Sequence, residues 1–182
     1  MNVLGLSGSL RSGSHNAKLL RAAGELLPPE AELTIYEGLK AIPPFDEDDE
    51  HTRPDTVQEL FDAIASADAV LLATPEYNHS IPGQLKNALD WLSRPLAESP
   101  LRNKPAAVVG ASTGLFGAVW AQAEARKVLS AIGARVIDRE LPIGMADDAF
   151  TPEGTLLDDD LSLALAGILA ELQAETRPLV TT

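Results

Sequence analysis

The sequence predicts an α/β fold: a parallel sheet with helices on both faces. Three observations carry this. Short apolar runs alternate with helix-length amphipathic stretches, in the order β-α-β-loop-α-β-α-β-α-β-α. Two of those runs, residues 69–73 and 106–111, are apolar throughout, as strands covered on both faces should be. The chain has 182 residues and no linker-like stretch, so residues 1–182 read as a single domain with enough chain to bury its own core.

The elements follow in order. Residues 3–7 form an apolar run that stops at Gly8. Residues 16–27 place Ala17, Leu19, Leu20, Ala23, Leu26 and Leu27 on one broad helical face, and Pro28-Pro29 ends the helix. Residues 32–36 alternate as a short strand. Pro43-Pro44 and the acidic run 46–50 make a loop. Asp55 is placed to cap a helix over 55–67, with Val57, Leu60, Phe61 and Ile64 inward. After the strand 69–73, Pro82 suits the first turn of a helix over 82–93, where its missing N–H had no partner. A strand at 106–111 leads to a helix over 118–132, closed by Gly133. A fifth strand begins at 136–138, and residues 161–175 form the last helix.

Lys and Arg total 14 against 27 Asp and Glu, a net charge of −13. That argues against nucleic acid and anionic membranes as partners, because both need a basic surface. There is no cysteine, which excludes disulfides, thiolate metal sites and cysteine nucleophiles. No basic-then-apolar leader opens the chain, and no apolar run approaches the roughly 20 residues of a membrane span. The expectation is a cytoplasmic protein. His15, His51 and His79 are scattered, without the spacing of a metal site.

In a parallel sheet of this kind, ligands bind beyond the carboxyl ends of the strands. Three loops lie there. The first reads Gly8-Ser9-Leu10-Arg11-Ser12-Gly13-Ser14-His15-Asn16 and feeds a helix. Its glycines allow close backbone approach, its serines and Asn16 offer neutral donors, Arg11 is its one cation, and a helix N-terminus adds free N–H groups. This chemistry suits a phosphate monoester; a merely polar connection is the alternative. It is not a nucleotide P-loop, because Ser14 stands where the lysine belongs. Nor does Gly5-Leu6-Ser7-Gly8 supply a dinucleotide fingerprint, so Glu37 after strand two reads as a surface charge.

The second loop is Thr74-Pro75-Glu76-Tyr77-Asn78-His79-Ser80-Ile81-Pro82-Gly83. Two prolines stiffen it and Tyr77 sits near its tip, as the reader of a flat heterocycle requires. Equally, it reads as a helix-entry turn capped by Asn78 or Ser80. The third loop, Gly110-Ala111-Ser112-Thr113-Gly114-Leu115-Phe116-Gly117, is small enough for a ligand to lie against its backbone, or is a flexible turn. Its letters match a G-x-S-x-G nucleophile elbow, but no histidine follows Ser112, as hydrolase order requires.

With these loops in view, the chain resembles the NADPH-dependent FMN reductase family of flavodoxin-like proteins, in its quinone, chromate and azo-dye reductase branch. The resemblance spans residues 2–137. It rests on Gly8-Ser9-Leu10-Arg11-x-Gly13-Ser14-x-Asn16, on Pro43-Pro44-Phe45-Asp46-Glu47-Asp48, and on Pro75-Glu76-Tyr77-Asn78-His79-Ser80-Ile81-Pro82-Gly83-x-Leu85-Lys86-Asn87-Ala88-x-Asp90-Trp91. Gly110-Ala111-Ser112-Thr113-Gly114, Gln122 and Arg126 complete it.

The resemblance implies a flavodoxin-like three-layer sandwich, a five-stranded parallel sheet of order 2-1-3-4-5, and non-covalent FMN. It implies that Ser9, Leu10, Arg11, Ser14, His15 and Asn16 bind the cofactor around its phosphate. Pro75, Glu76, Tyr77 and Asn78 would lie along the isoalloxazine, with the Glu76 carboxylate turned away from the ring. Ser112 and Gly114 would approach from the third loop. The implied activity is ping-pong reduction, by NADH or NADPH, of a quinone, azo compound, free flavin or metal oxyanion such as chromate. No side chain is expected as a catalytic acid or base, because the flavin carries the chemistry. A flavodoxin-type electron carrier is the alternative; the acidic charge suits it, but the first loop lacks the T-x-T-G-x-T form of such carriers. A regulator or scaffold that keeps only the fold is a further one. A homodimer or homotetramer is expected, with Trp91 and Trp120 either as interface anchors or in the core. The acidic clusters 46–50, 147–148 and 158–160 lie outside the first loop, whose only charge is Arg11, and no basic cluster marks a site for a 2′-phosphate.

Overall fold

The computed structural model describes residues 1–176. Strand β1 (Asn2–Ser7) is followed by helix α1 (His15–Glu25) and β2 (Glu32–Ile35). Helix α2 (Asp55–Ser66), β3 (Ala69–Ala73), α3 (Gly83–Leu92), β4 (Pro105–Ala111) and α4 (Val119–Ile132) come next. The chain ends in β5 (Arg135–Val136), β6 (Pro142–Ile143) and α5 (Asp159–Glu175). The sheet order is β2-β1-β3-β4-β5, parallel throughout.

The strands alternate their side chains between two apolar layers, as the period of two demands. Leu4, Leu6, Val70, Leu72, Ala106 and Val108 face α2, α3 and α4. Val3, Leu71, Ala73, Ala107 and Val109 face α1 and α5. Apolar residues at both phases of the strand explain why β3 and β4 read as unbroken apolar runs.

One strand was not expected. The lane beside β4 is filled twice: β5 pairs with its start and β6 with its end, at Gly110↔Pro142 and Ala111↔Ile143. Two-residue strands leave no periodic pattern to read. Two helix starts also differ. Asp55 lies inside α2 and Pro54 is its cap, without a side-chain bond; the carboxylate sits in the first turn, where the helix dipole favours it. Pro82 is the cap of α3 rather than a first-turn residue. Gly133 closes α4 at φ +101, as only glycine does readily. Among the described residues no helix is long and apolar enough to cross a membrane.

Because the strands are parallel, the loops after β1, β3 and β4 leave the same edge of the sheet and meet there.

Candidate functional site

The first loop is held at both ends and open in the middle. Gly8 donates to Ala73 O at 2.8 Å, which fixes the loop against β3. A Cβ on Gly8 would meet Leu85 Cδ2 at 3.0 Å, so a larger residue here would push that leucine aside. At the other end Ser14 caps α1, its Oγ accepting from Ala17 N at 3.1 Å. Between them the N–H groups of Ser9, Leu10, Arg11, Ser12 and Gly13 donate to no acceptor among the described residues. The first-turn N–H groups of His15 and Asn16 are equally open. Arg11 is exposed and forms no ion pair among those residues.

Asn16 does something other than expected. Its Nδ2 donates to Ala111 O at 2.9 Å, and its Oδ1 accepts from Ala111 N at 3.0 Å. The buried amide therefore clasps the first loop to the end of β4, and only its backbone N–H is left for a ligand. His15 stacks on Phe150 with ring centroids 6.2 Å apart, and its Nε2 lies 3.0 Å from Asp147 Oδ1. Asp147 comes from the segment after β6, whose path the sequence does not reveal. His15 Nδ1 is buried without a partner.

In the second loop Tyr77 and Ser80 exchange backbone hydrogen bonds at 3.0 and 3.1 Å. Asn78 and His79 between them have φ of 54° and 60°, the mirror-image turn of a tight hairpin. Neither Asn78 nor Ser80 caps α3. Tyr77 is left exposed at the hairpin base. Glu76 Oε2 accepts from Trp120 N at 3.1 Å and Ala121 N at 3.2 Å. Ala118, the cap residue before α4, is left-handed and supplies no side-chain bond, so Glu76 caps the helix from another loop.

The third loop is pinned to the segment after β6. Ser112 N donates to Ile143 O, Ala146 N to Ser112 O, and Met145 N to Gly114 O. Gly117 has φ +56, and a Cβ there would lie 2.4 Å from Pro142 C. Gln122, fully buried, donates to Gly117 O and accepts from Leu141 N, both at 3.0 Å. Ser112 Oγ accepts from Gly114 N and bonds no histidine among the described residues. Arg126, the other family-typical residue, pairs with Glu140.

The loops enclose a cleft of about 280 Å³. Ser9, Arg11, His15 and Asn16 line it from the first loop; Pro75, Glu76 and Tyr77 from the second; Ala111, Ser112 and Thr113 from the third. Of the residues expected there, Leu10, Ser14, Asn78 and Gly114 do not line it. Ser14 is buried as a cap, and Asn78 sits at the hairpin turn. Ala111 and Thr113 join as neighbours of Ser112. The two tryptophans divide. Trp91 is 1 % exposed, its Nε1 donating to Pro43 O. Trp120 is 43 % exposed and meets Phe116 and His79 edge-on.

A family model described as NADPH-dependent FMN reductase matches residues 1–148. The chain belongs to this family. An NAD(P)H-dependent FMN reductase of Pseudomonas aeruginosa is 42 % identical over 181 residues, covering 98 % of this chain and 97 % of its own. A quinone reductase of Escherichia coli is 36 % identical over 173 residues, covering 93 % and 92 %. Among solved structures, the flavoenzyme NAD(P)H:(acceptor) oxidoreductase FerB of Paracoccus denitrificans superposes with a TM-score of 0.84 at 32 % identity, covering 96 % of each chain.

The family's cofactor fits the residues present. A phosphate needs several donors at a helix N-terminus and a nearby cation. The first loop offers open N–H groups at the start of α1, and Arg11 on the lining of the cleft.

Proposed function

We infer that this protein is an NAD(P)H-dependent oxidoreductase that holds FMN without a covalent bond and reduces small-molecule acceptors, quinones first among them. The observation that carries this reading is the set of unpaired donors on the first loop, of which those of Ser9, Arg11, His15 and Asn16 belong to residues lining a cleft walled by the other two loops. The open N–H groups of Ser9, Arg11, His15 and Asn16 would hold the phosphate, with the Ser9 and Arg11 side chains beside them. Pro75, Glu76 and Tyr77, with Ala111, Ser112 and Thr113, would hold the isoalloxazine. Bound FMN supplies the hydride acceptor and the electron donor. The protein binds, orients and keeps charge away: the Glu76 carboxylate is spent on the α4 N-terminus rather than aimed at a reduced, anionic ring.

Exposed Leu115, Phe116 and Trp120 beside the cleft support a homodimer or homotetramer with the site near a subunit boundary; sizing chromatography tests it. Residues 1–182 act as one FMN-binding domain, in the cytoplasm, where NAD(P)H is supplied.

The test is purification, an absorption spectrum, and anaerobic titration with NADPH and NADH followed by benzoquinone. The reading requires a flavin spectrum bleached by a pyridine nucleotide and restored by the quinone. A flavin that no pyridine nucleotide reduces returns the electron carrier; a protein that takes up no flavin returns the scaffold.

A further inference from the structure

Behind the first loop lies a second cleft, of about 210 Å³. The loop is a shared wall, since Ser9 and Arg11 line both clefts. Arg21 reaches the second cleft from α1, and Tyr36, Glu37 and Lys40 from the segment that follows β2. Three cations therefore converge in a chain of net charge −13, against the single carboxylate of Glu37. Arg11, Arg21 and Lys40 are all exposed, and none forms an ion pair among the described residues. Tyr36 is a neutral wall: its hydroxyl donates to Thr56 O, and burial, with the Glu59 carboxylate adding to it, pushes its phenol up. The three cations stand far apart in the sequence, so no basic run announced them.

The position carries its own meaning. The hydride donor must reach the flavin proposed for the first cleft, which shares a wall with this one; in nucleotide recognition an acid suits a free 2′-hydroxyl and an arginine a 2′-phosphate. Here cations outnumber acids three to one, and Arg21 and Lys40 remain once Arg11 serves the first cleft. A phosphomonoester takes charge-assisted bonds from such groups, and an arginine can give two in parallel.

We propose that this cleft takes the 2′-phosphate of NADPH, that Arg21 and Lys40 read it, and that it sets a preference for NADPH over NADH. This rests on the reading that a pyridine nucleotide is the electron donor. Arg11 is shared with the FMN phosphate, which leaves Arg21 and Lys40 as the discriminating pair.

The experiment uses FMN-loaded protein and calorimetric titration with NADP⁺, NAD⁺ and adenosine 2′-phosphate, in the wild type, Arg21→Gln, Lys40→Gln and the double variant. Affinity for NADP⁺ and for adenosine 2′-phosphate falls roughly tenfold for each lost cation, while NAD⁺ affinity stays within about twofold. Glu37→Gln tightens NADP⁺. Equal losses for NADP⁺ and NAD⁺, or no loss, overturn the proposal. So does loss of FMN from the double variant, which would assign the cleft to the flavin phosphate. Wild-type protein that binds adenosine 2′-phosphate here but oxidises neither nucleotide would defeat the functional reading and leave the cleft standing.

Discussion

The first loop and the block from Pro75 to Trp91 carry equally distinctive sequences, yet they are built in opposite ways. From Gln84 to Trp91 in the block every polar side chain is paired within the protein. Asn87 accepts from Phe45 N at 2.7 Å and donates to Pro43 O at 2.7 Å, and Trp91 Nε1 reaches the same carbonyl at 2.9 Å. Gln84 Nε2 donates to Leu39 O and Ile42 O, and Lys86 pairs with Asp90. Only Pro75, Glu76 and Tyr77 reach the cleft. The block is thus mainly a clamp on residues 39–45, which explains why Pro43-Pro44-Phe45 belongs to the same family pattern. The first loop leaves its donors unspent. Paired groups mark architecture, and unpaired ones mark the ligand.

The largest effect expected from breaking the clamp is Trp91→Ala. Truncating this buried indole, which also packs edge-on against Phe45, removes about 3–5 kcal/mol of stability by denaturant unfolding. Flavin loss in that variant follows unfolding and does not precede it. On the open side, Arg11→Ala weakens FMN binding by about 1.5–3 kcal/mol while apo-protein stability moves by less than about 0.5 kcal/mol. Equal stability losses in the two variants would erase the contrast. Asn87→Ala leaves Phe45 N and Pro43 O short of a partner, at about 1–3 kcal/mol of stability, and spares FMN affinity.

Glu76 stands on the border between the two regions, and it sharpens the contrast with the smallest effect. Glu76→Ala removes the only side-chain cap at the start of α4 among the described residues, at about 1 kcal/mol. Glu76→Gln keeps an acceptor oxygen, holds most of that stability and changes turnover modestly. Complete loss of flavin from Glu76→Gln would instead place the carboxylate in the cofactor site.

The fold was legible where burial imposes a period. The apolar runs of β3 and β4 and the inward faces of α2 and α3 could be read because each must fill a layer. The order of strands came from the family resemblance and agrees with the sheet. What stayed hidden depends on long-range contact. The strand β6 is two residues long and exists only because β4 has a free edge beside Gly110 and Ala111. Asn16 looked like a phosphate donor because its letters say only that it has an amide; the amide's use depends on Ala111, which the topology brings beside it. Asp147 reaches His15, and Arg21 and Lys40 come to line one cleft with Arg11, by the same route. The tight hairpin at Asn78-His79 had a local signal, since asparagine tolerates a positive φ, but the prolines around it argued equally for a helix entry.

The account's central claim is that the unspent donors of the first loop hold the phosphate of FMN. The most direct measurement compares the affinities of the apo-protein for FMN and for riboflavin, which differ only in that phosphate, in the wild type and in Arg11→Ala. The account predicts that the wild type binds FMN at least about a hundredfold more tightly than riboflavin, and that Arg11→Ala narrows the gap by roughly tenfold or more without changing riboflavin affinity. Equal affinity for the two flavins in the wild type, or a gap that Arg11→Ala leaves intact, would contradict it.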